Sequence, residues 1–222
     1  MLHAALLPSL LSVVPVGPVP SVADLDLVAT TSLMVPGALA PRLLDSDTFK
    51  YSYIEVGATR LDTENIDDEA DTYYAEVSFD VLGIVNLFAN YENLSVDIGN
   101  IDTDIWRLGA GLHFSVTDAL DLTGDVAWLF SKIDSDTLDE SSNGTQVRVG
   151  GRWMLLNTDA LGLELFGRGL AINLDDSFYS DDSSTGFDAG LRVHVLGALS
   201  VAGAYTKIED DDSVGVSVRL SF

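Results

Sequence analysis

From residue 48 onward, apolar and polar residues take alternate places along the chain. Over 105–116, Trp106, Leu108, Ala110, Leu112, Phe114 and Val116 alternate with Arg107, Gly109, Gly111, His113 and Ser115. Over 145–156, Val147, Val149, Gly151, Trp153 and Leu155 are set against Gln146, Arg148, Gly150, Arg152 and Met154. Over 185–196, Phe187, Ala189, Leu191, Val193 and Val195 are set against Asp188, Gly190, Arg192 and His194. A period of two marks a strand with two unlike faces, because successive side chains point to opposite sides. Ten segments carry the pattern: 49–61, 72–82, 85–96, 105–116, 120–133, 145–156, 161–174, 185–196, 199–208 and 213–222. No helix is predicted.

The connections between these segments alternate as well. "LGIVN", "VTDALD", "NTDALG" and "LGALS" are short, and two of them share a weak repeat, "TDALDL" and "TDALGL". "LDTENIDDEAD", "DIGNIDTD", "IDSDTLDESSNG" and "LDDSFYSDDSS" are longer and acidic, and "EDDD" continues the acidic series. Short turns at one end and acidic loops at the other describe an up-and-down antiparallel meander of five hairpins.

Which face meets which solvent follows from composition. A soluble barrel turns its apolar face inward, and here that would leave a surface of Gly and Arg. The opposite assignment puts Val, Leu and aromatic residues against hydrocarbon and lines the interior with Arg, Glu, Asp, Gly and Ser. Outward aromatics then fall at two levels. Tyr73, Tyr91, Trp106, Trp128, Phe130, Phe187 and Tyr205 lie near the acidic loops, and Phe79, Phe114, Trp153 and Phe222 near the short turns. Two aromatic levels separated by aliphatic residues match the two interfaces of a membrane. A strand of roughly ten residues is long enough to cross when tilted. A β-sandwich would scatter its aromatics instead. The expected fold is an all-β, closed, antiparallel up-and-down transmembrane β-barrel of about ten strands.

The even strand number, the alternation of short turns with acidic loops and the terminal "VSVRLSF" resemble the small outer-membrane β-barrel proteins of bacteria, the broad group that includes OmpA-like transmembrane domains. The resemblance implies an outer-membrane location in a Gram-negative-type envelope, contact with outer-membrane lipid, and recognition by the barrel assembly machinery. In that group a terminal Phe with apolar residues at alternate positions before it is the assembly signal, and Phe222, Leu220 and Val218 match it residue by residue. The final strand is expected to pair with the first, which removes both free edges. The group shares architecture more than chemistry.

Charge and composition narrow the partners. The 222 residues include 35 acidic and 11 basic ones, a net charge of −24, yet 47% of them are hydrophobic. The apolar content excludes an acidic disordered chain, and the charge argues against nucleic acid. No cysteine is present, so neither disulfides nor thiolate metal sites arise. All six prolines precede residue 42, and residues 1–40 contain no Lys, Arg or Glu. This apolar, Pro-rich stretch, with small-x-small sites at Ser21-Val22-Ala23 and Ala38-Leu39-Ala40, reads as a secretory signal peptide and linker over 1–47, ahead of a barrel over 48–222.

Candidate chemistry concentrates in the interior. Glu55, Glu76, Asp80, Glu92, Asp125, Glu164 and Asp188 share the inward parity with Arg107, Arg148, Arg152, Arg168, Arg192 and Arg219. Confined charges must pair, so an ion-pair network is expected to plug the narrow lumen, partners facing each other across it and joining the first and last strands at the seam. A charged, porin-like constriction that passes ions or small solutes is the alternative. A secreted, soluble barrel binding an apolar ligand is a third reading. His113 and His194 fall toward the short-turn end with no Ser-His-Asp or HExxH arrangement, so no catalytic residue, cofactor or resident metal is assigned and the chain is expected not to be an enzyme. Asp62, Glu64, Asp67, Asp68, Glu69 and Asp71, with Asp175, Asp176, Asp181 and Asp182, crowd two loops where divalent cations can bridge to anionic lipid. Leu191→Arg is expected to be costly on the lipid face, and Gly190→Ser, one residue away, to be mild.

Overall fold

In the computed structural model the residues described are 48–62, 69–96, 101–135, 138–158, 160–175 and 182–222. They form ten strands: β1 (Tyr53–Asp62), β2 (Glu69–Asp80), β3 (Val85–Val96), β4 (Ile101–Thr117), β5 (Leu120–Ser135), β6 (Leu138–Asn157), β7 (Leu161–Asp175), β8 (Asp182–Val195), β9 (Leu199–Ile208) and β10 (Asp211–Ser221). Each pairs antiparallel with its neighbour in sequence, and β1 pairs with β10, so the sheet closes into a barrel. At the seam Glu55 lies opposite Arg219 and Val56 opposite Val218. Every strand therefore finds two partners and no edge is left open.

The barrel is inside-out relative to a soluble protein. Leu108 is 62% exposed and Val149 65%, whereas Glu164 and Asp121 are 0% exposed. The outward residues include the predicted aromatics at both levels, from Tyr73, Trp106, Trp128 and Phe187 to Phe79, Phe114, Trp153 and Phe222. Near the short turns, Phe79 and Phe222 meet edge to face at 6.1 Å across the β1–β10 seam region. An apolar outer surface around a polar interior is stable only where the surrounding solvent is hydrocarbon.

Several segment ends differ from the periodicity. The first strand begins at Tyr53, and the residues before it leave the wall: Phe49 and Tyr51 are buried inside the barrel mouth. The stretch expected to be the loop "IDSDTLDESSNG" is mostly paired, with Lys132 opposite Ser141 and Ile133 opposite Glu140. This ribbon stands in water beyond the aromatic level, so its polar residues conflict with neither face. The acidic "EDDD" is a tight turn, with Ile208 opposite Asp211 and Glu209 at φ 54°. Register shifts at Ser115/Thr117 and Met154/Leu156 lie beside the short turns. The leader over 1–47 lies outside the described residues.

Candidate functional site: the barrel interior

Inward side chains form three layers along the barrel axis. The layer at the short-turn end is a stopper. Phe49, Tyr51 and Met154 make a buried cluster, joined by Ala119. The Arg152 guanidinium lies 4.9 Å from the centres of both the Phe49 and Tyr51 rings, a cation–π arrangement that anchors the incoming segment. Arg152 also grips Glu164 with two hydrogen bonds, Nε to Oε1 at 2.8 Å and Nη2 to Oε2 at 2.9 Å. His194 Nε2 sits 2.8 Å from the same carboxylate. Tyr51 donates to Asp121 at 2.8 Å and stacks on His113 at 3.5 Å with an interplanar angle of 11°. Both histidines are thus packed into the stopper, and His113 approaches Asp80 at 3.7 Å.

The middle layer holds most of the charged network. Glu55 accepts from Arg192 at 3.1 Å, from Tyr74 at 3.1 Å, and from Arg219. Arg219 lies against the Tyr53 ring at 3.6 Å and Arg192 against Phe166 at 5.2 Å. Arg148 donates to Asp125 at 2.7 Å, Arg168 bonds Asp188 at 2.9 Å, and Arg107 donates to Glu92. Glu76 accepts from the Tyr53 hydroxyl at 2.5 Å and from the Asn90 amide at 3.5 Å.

All thirteen residues assigned from sequence to this network face the interior, but their pairing differs from the expectation of partners across the lumen. Asp125 and Arg148 are register partners on β5 and β6 and Arg168 and Asp188 on β7 and β8, while Glu55 and Arg219 join the closing strands at the seam. Among the described residues, Glu55–Arg192 and the His113–Asp80 approach join strands that are not neighbours. Side chains a few ångströms apart on one wall meet at lower conformational cost than those that must reach over the lumen.

The third layer, toward the acidic end, sets aliphatic side chains among polar ones such as Thr59, Ser131, Gln146, Thr206 and Ser213. Leu94, Ile105, Leu129, Leu170, Ile172 and Ile208 line a cavity of about 440 Å³ whose floor includes Glu76, Arg168 and Arg219. Below it, beside the stopper, only about 70 Å³ remains. At the rim, Asp211 is buried beside Asp210, Glu209 and Asp212, and burial first, then those charges, pushes its carboxyl up to about 6. Lys207 donates to Asp212 at 2.9 Å on the outer surface of the same turn.

The residues missed from sequence are the inward aromatics and the apolar collar. Phe49 and Tyr51 fit a first strand by period, and nothing local distinguishes a strand from a segment turning into the lumen. Phe88 and Phe166 lie over inward glycines, where a Cβ on Gly109 would strike the Phe88 ring and one on Gly190 the Phe166 ring. Gly190→Ser is therefore not the mild change that inward polarity suggested, because the space beside Gly190 is already filled. The collar did leave a signal. On β7 the inward parity reads Glu164, Phe166, Arg168, Leu170, Ile172, Leu174, turning from charged to apolar along one strand. Of the acidic-loop residues, Glu64, Asp67, Asp68, Asp176 and Asp181 lie outside the described residues. Among the described residues no group of three or more acidic or histidine side chains is arranged for a metal ion.

No family model matches the sequence, and no curated protein matches it. Solved structures do. The β domain of the Bordetella autotransporter BrkA aligns at a TM-score of 0.51 and 10% identity, over 78% of this chain and 99% of that one. A bacterial polysaccharide outer-membrane secretin aligns at 0.49 and 9% identity over 77% of this chain, which spans just under two thirds, 65%, of the secretin's length. The transport unit of the autotransporter AIDA-I from Escherichia coli aligns at 0.45 and 10% identity, over 86% and 94% of the two chains. The likeness to the BrkA domain is one of fold: this chain has the all-β, closed-barrel architecture of bacterial outer-membrane barrels.

Proposed function

We propose that the protein is a non-enzymatic outer-membrane β-barrel with a structural or surface-interaction role, and that its lumen is closed to the passage of ions and solutes. The observation that carries this reading is the stopper. Phe49 and Tyr51 enter the short-turn mouth and are held there by Arg152, Asp121 and His113, beneath a layer of ion pairs. The apolar outer face with its two aromatic levels supports the membrane location, and the terminal Phe222, Leu220 and Val218, all outward, suit the assembly signal that the resemblance implies. His113 is committed to a stacked ring and His194 to a contact with the Glu164 carboxylate that Arg152 grips, which suits structural rather than catalytic use.

Planar-bilayer recording tests the reading. The wild-type barrel should stay near baseline, and Phe49→Ala combined with Tyr51→Ala should produce measurable openings by removing the rings that fill the mouth. A steady, ion-selective current through the wild-type protein would overturn the closed lumen.

A further inference from the structure

We infer that the outer half of the lumen is a binding site for an amphipathic cation, a molecule with an apolar body and a single ammonium-type head that seats on Glu76. The site is independent of whether the lower mouth conducts.

The first ground is shape and polarity. A space of about 440 Å³ falls within the usual size of small-molecule pockets, roughly 300–1,000 Å³. A channel built only to hold water or a plug needs no apolar wall, yet Leu94, Ile105, Leu129, Leu170 and Ile172 from β3, β4, β5 and β7 converge on this level. These residues occupy the inward parity, where lipid cannot cover them, so an apolar guest gains by covering them instead.

The second ground is an uneven use of charge on the floor. Glu55 accepts from two guanidinium groups, and Glu92, Asp125, Glu164 and Asp188 each bond at least one. Glu76 is different. It lines the cavity, and its bonds come from neutral donors, the Tyr53 hydroxyl and the Asn90 amide. No guanidinium among the described residues hydrogen-bonds it, and Arg168, which feels its charge, is held by Asp188. A carboxylate in a confined space, bonded only by neutral donors, gains from a cation brought to it.

The third ground is the field. The chain carries a net charge of −24, and Asp211 stands at the rim of the cavity, beside Glu209, Asp210 and Asp212 in the β9–β10 turn. A negative entrance over low-dielectric walls concentrates cations and repels anions. An amphipathic cation answers all three features: its head is drawn by the rim and held by Glu76, and its body covers the collar.

The full-length barrel in phosphatidylcholine nanodiscs is titrated by calorimetry with octylamine, octanol, octanoate and ethylamine, with empty nanodiscs subtracted. Octylamine should bind saturably at one site per barrel, tighter than octanol and at least tenfold tighter than octanoate. Ethylamine should bind at least a hundredfold more weakly, because it lacks the chain that covers the collar. Glu76→Gln keeps an acceptor for Tyr53 and leaves every loop charge in place; it should weaken octylamine at least tenfold and leave octanol unchanged. Ile172→Trp, which fills the collar, should weaken octylamine and octanol alike, and it stands in if Glu76→Gln does not give the heat-modifiable gel mobility of a folded barrel. Absence of saturable octylamine binding, octanoate binding as tightly as octylamine, ethylamine equalling octylamine, or folded variants that bind as wild type would each overturn the site.

Discussion

Leu191 and Gly190 are neighbours on β8 that meet opposite environments, and both resist substitution for different reasons. Leu191 points outward and is 49% exposed to the surrounding solvent. Leu191→Arg places a cation in hydrocarbon and should cost about 2–4 kcal/mol near the midplane. Gly190 points inward, but a Cβ there would collide with the Gly203 carbonyl and the Phe166 ring. Gly190→Ser should therefore cost about 1–3 kcal/mol through overpacking. Gly203 supplies the control, since a Cβ there meets nothing within 4 Å. Urea unfolding from lipid vesicles should place Gly203→Ala close to wild type and both β8 variants clearly below it. A wild-type midpoint for Gly190→Ser would mean that Phe166 gives way freely.

At the scale of one element, the β9–β10 hairpin carries a pH dependence outside the membrane. Burial and the adjoining acids raise the Asp211 carboxyl to about 6 from an ordinary 3.8. A carboxyl that binds its proton more tightly when folded destabilises the folded turn while charged. Stability should thus rise as pH falls from 7 through about 6, and level off below about 4, where the unfolded chain is protonated too. The gain is on the order of 1–2 kcal/mol, discounted for the watery rim. Amide exchange at Ile208, corrected for the intrinsic pH effect, should show slower opening at pH 5 than at pH 7. Asp211→Asn should be more protected than wild type at pH 7 and flat across this range. If wild-type protection falls on acidification while the Asn variant behaves alike, Asp211 is not the titrating group.

Over the whole molecule, the ion pairs act as a circuit that ties distant parts of the chain together. Glu55 links β1 to β10 through Arg219 and to β8 through Arg192, and Glu164 links Arg152 to His194 and Arg192. Removing one partner of a buried pair leaves an uncompensated charge, at about 3–5 kcal/mol, whereas exposed pairs contribute about 0–1 kcal/mol. Replacing Arg148 and Arg152 together with Met strands Asp125, leaves Glu164 with only His194 and Arg192, and frees the Phe49 and Tyr51 rings. Unfolding in lipid vesicles should show a loss well above that of two exposed pairs. A combined loss below about 1 kcal/mol would mean that water reaches these carboxylates and screens them.

Strand number, up-and-down order and the inside-out faces were legible in the sequence, because the two-residue period is a local property and hydrocarbon selects strongly for what stands on one parity. The thirteen lumen charges were legible for the same reason: Arg148 and Glu164 fall on the polar side of their strands whatever their partners are. Closure was expected as well, because a membrane leaves no edge unpaired, but the register at which β1 meets β10 was not, since no local pattern connects the two ends. The ion pairs depend on register, which brings Asp125 to Arg148 across one turn, and on closure of the barrel, which brings Glu55 to Arg192 across 137 residues. The stopper shares the alternation of the strand it precedes, and only the closed mouth gives Phe49 and Tyr51 a cavity to enter. The collar and Glu76 become a site only when β2, β3, β4, β5 and β7 face one another around a common axis. Parity tells a side chain which side of the sheet it takes; curvature of the sheet decides what it meets there.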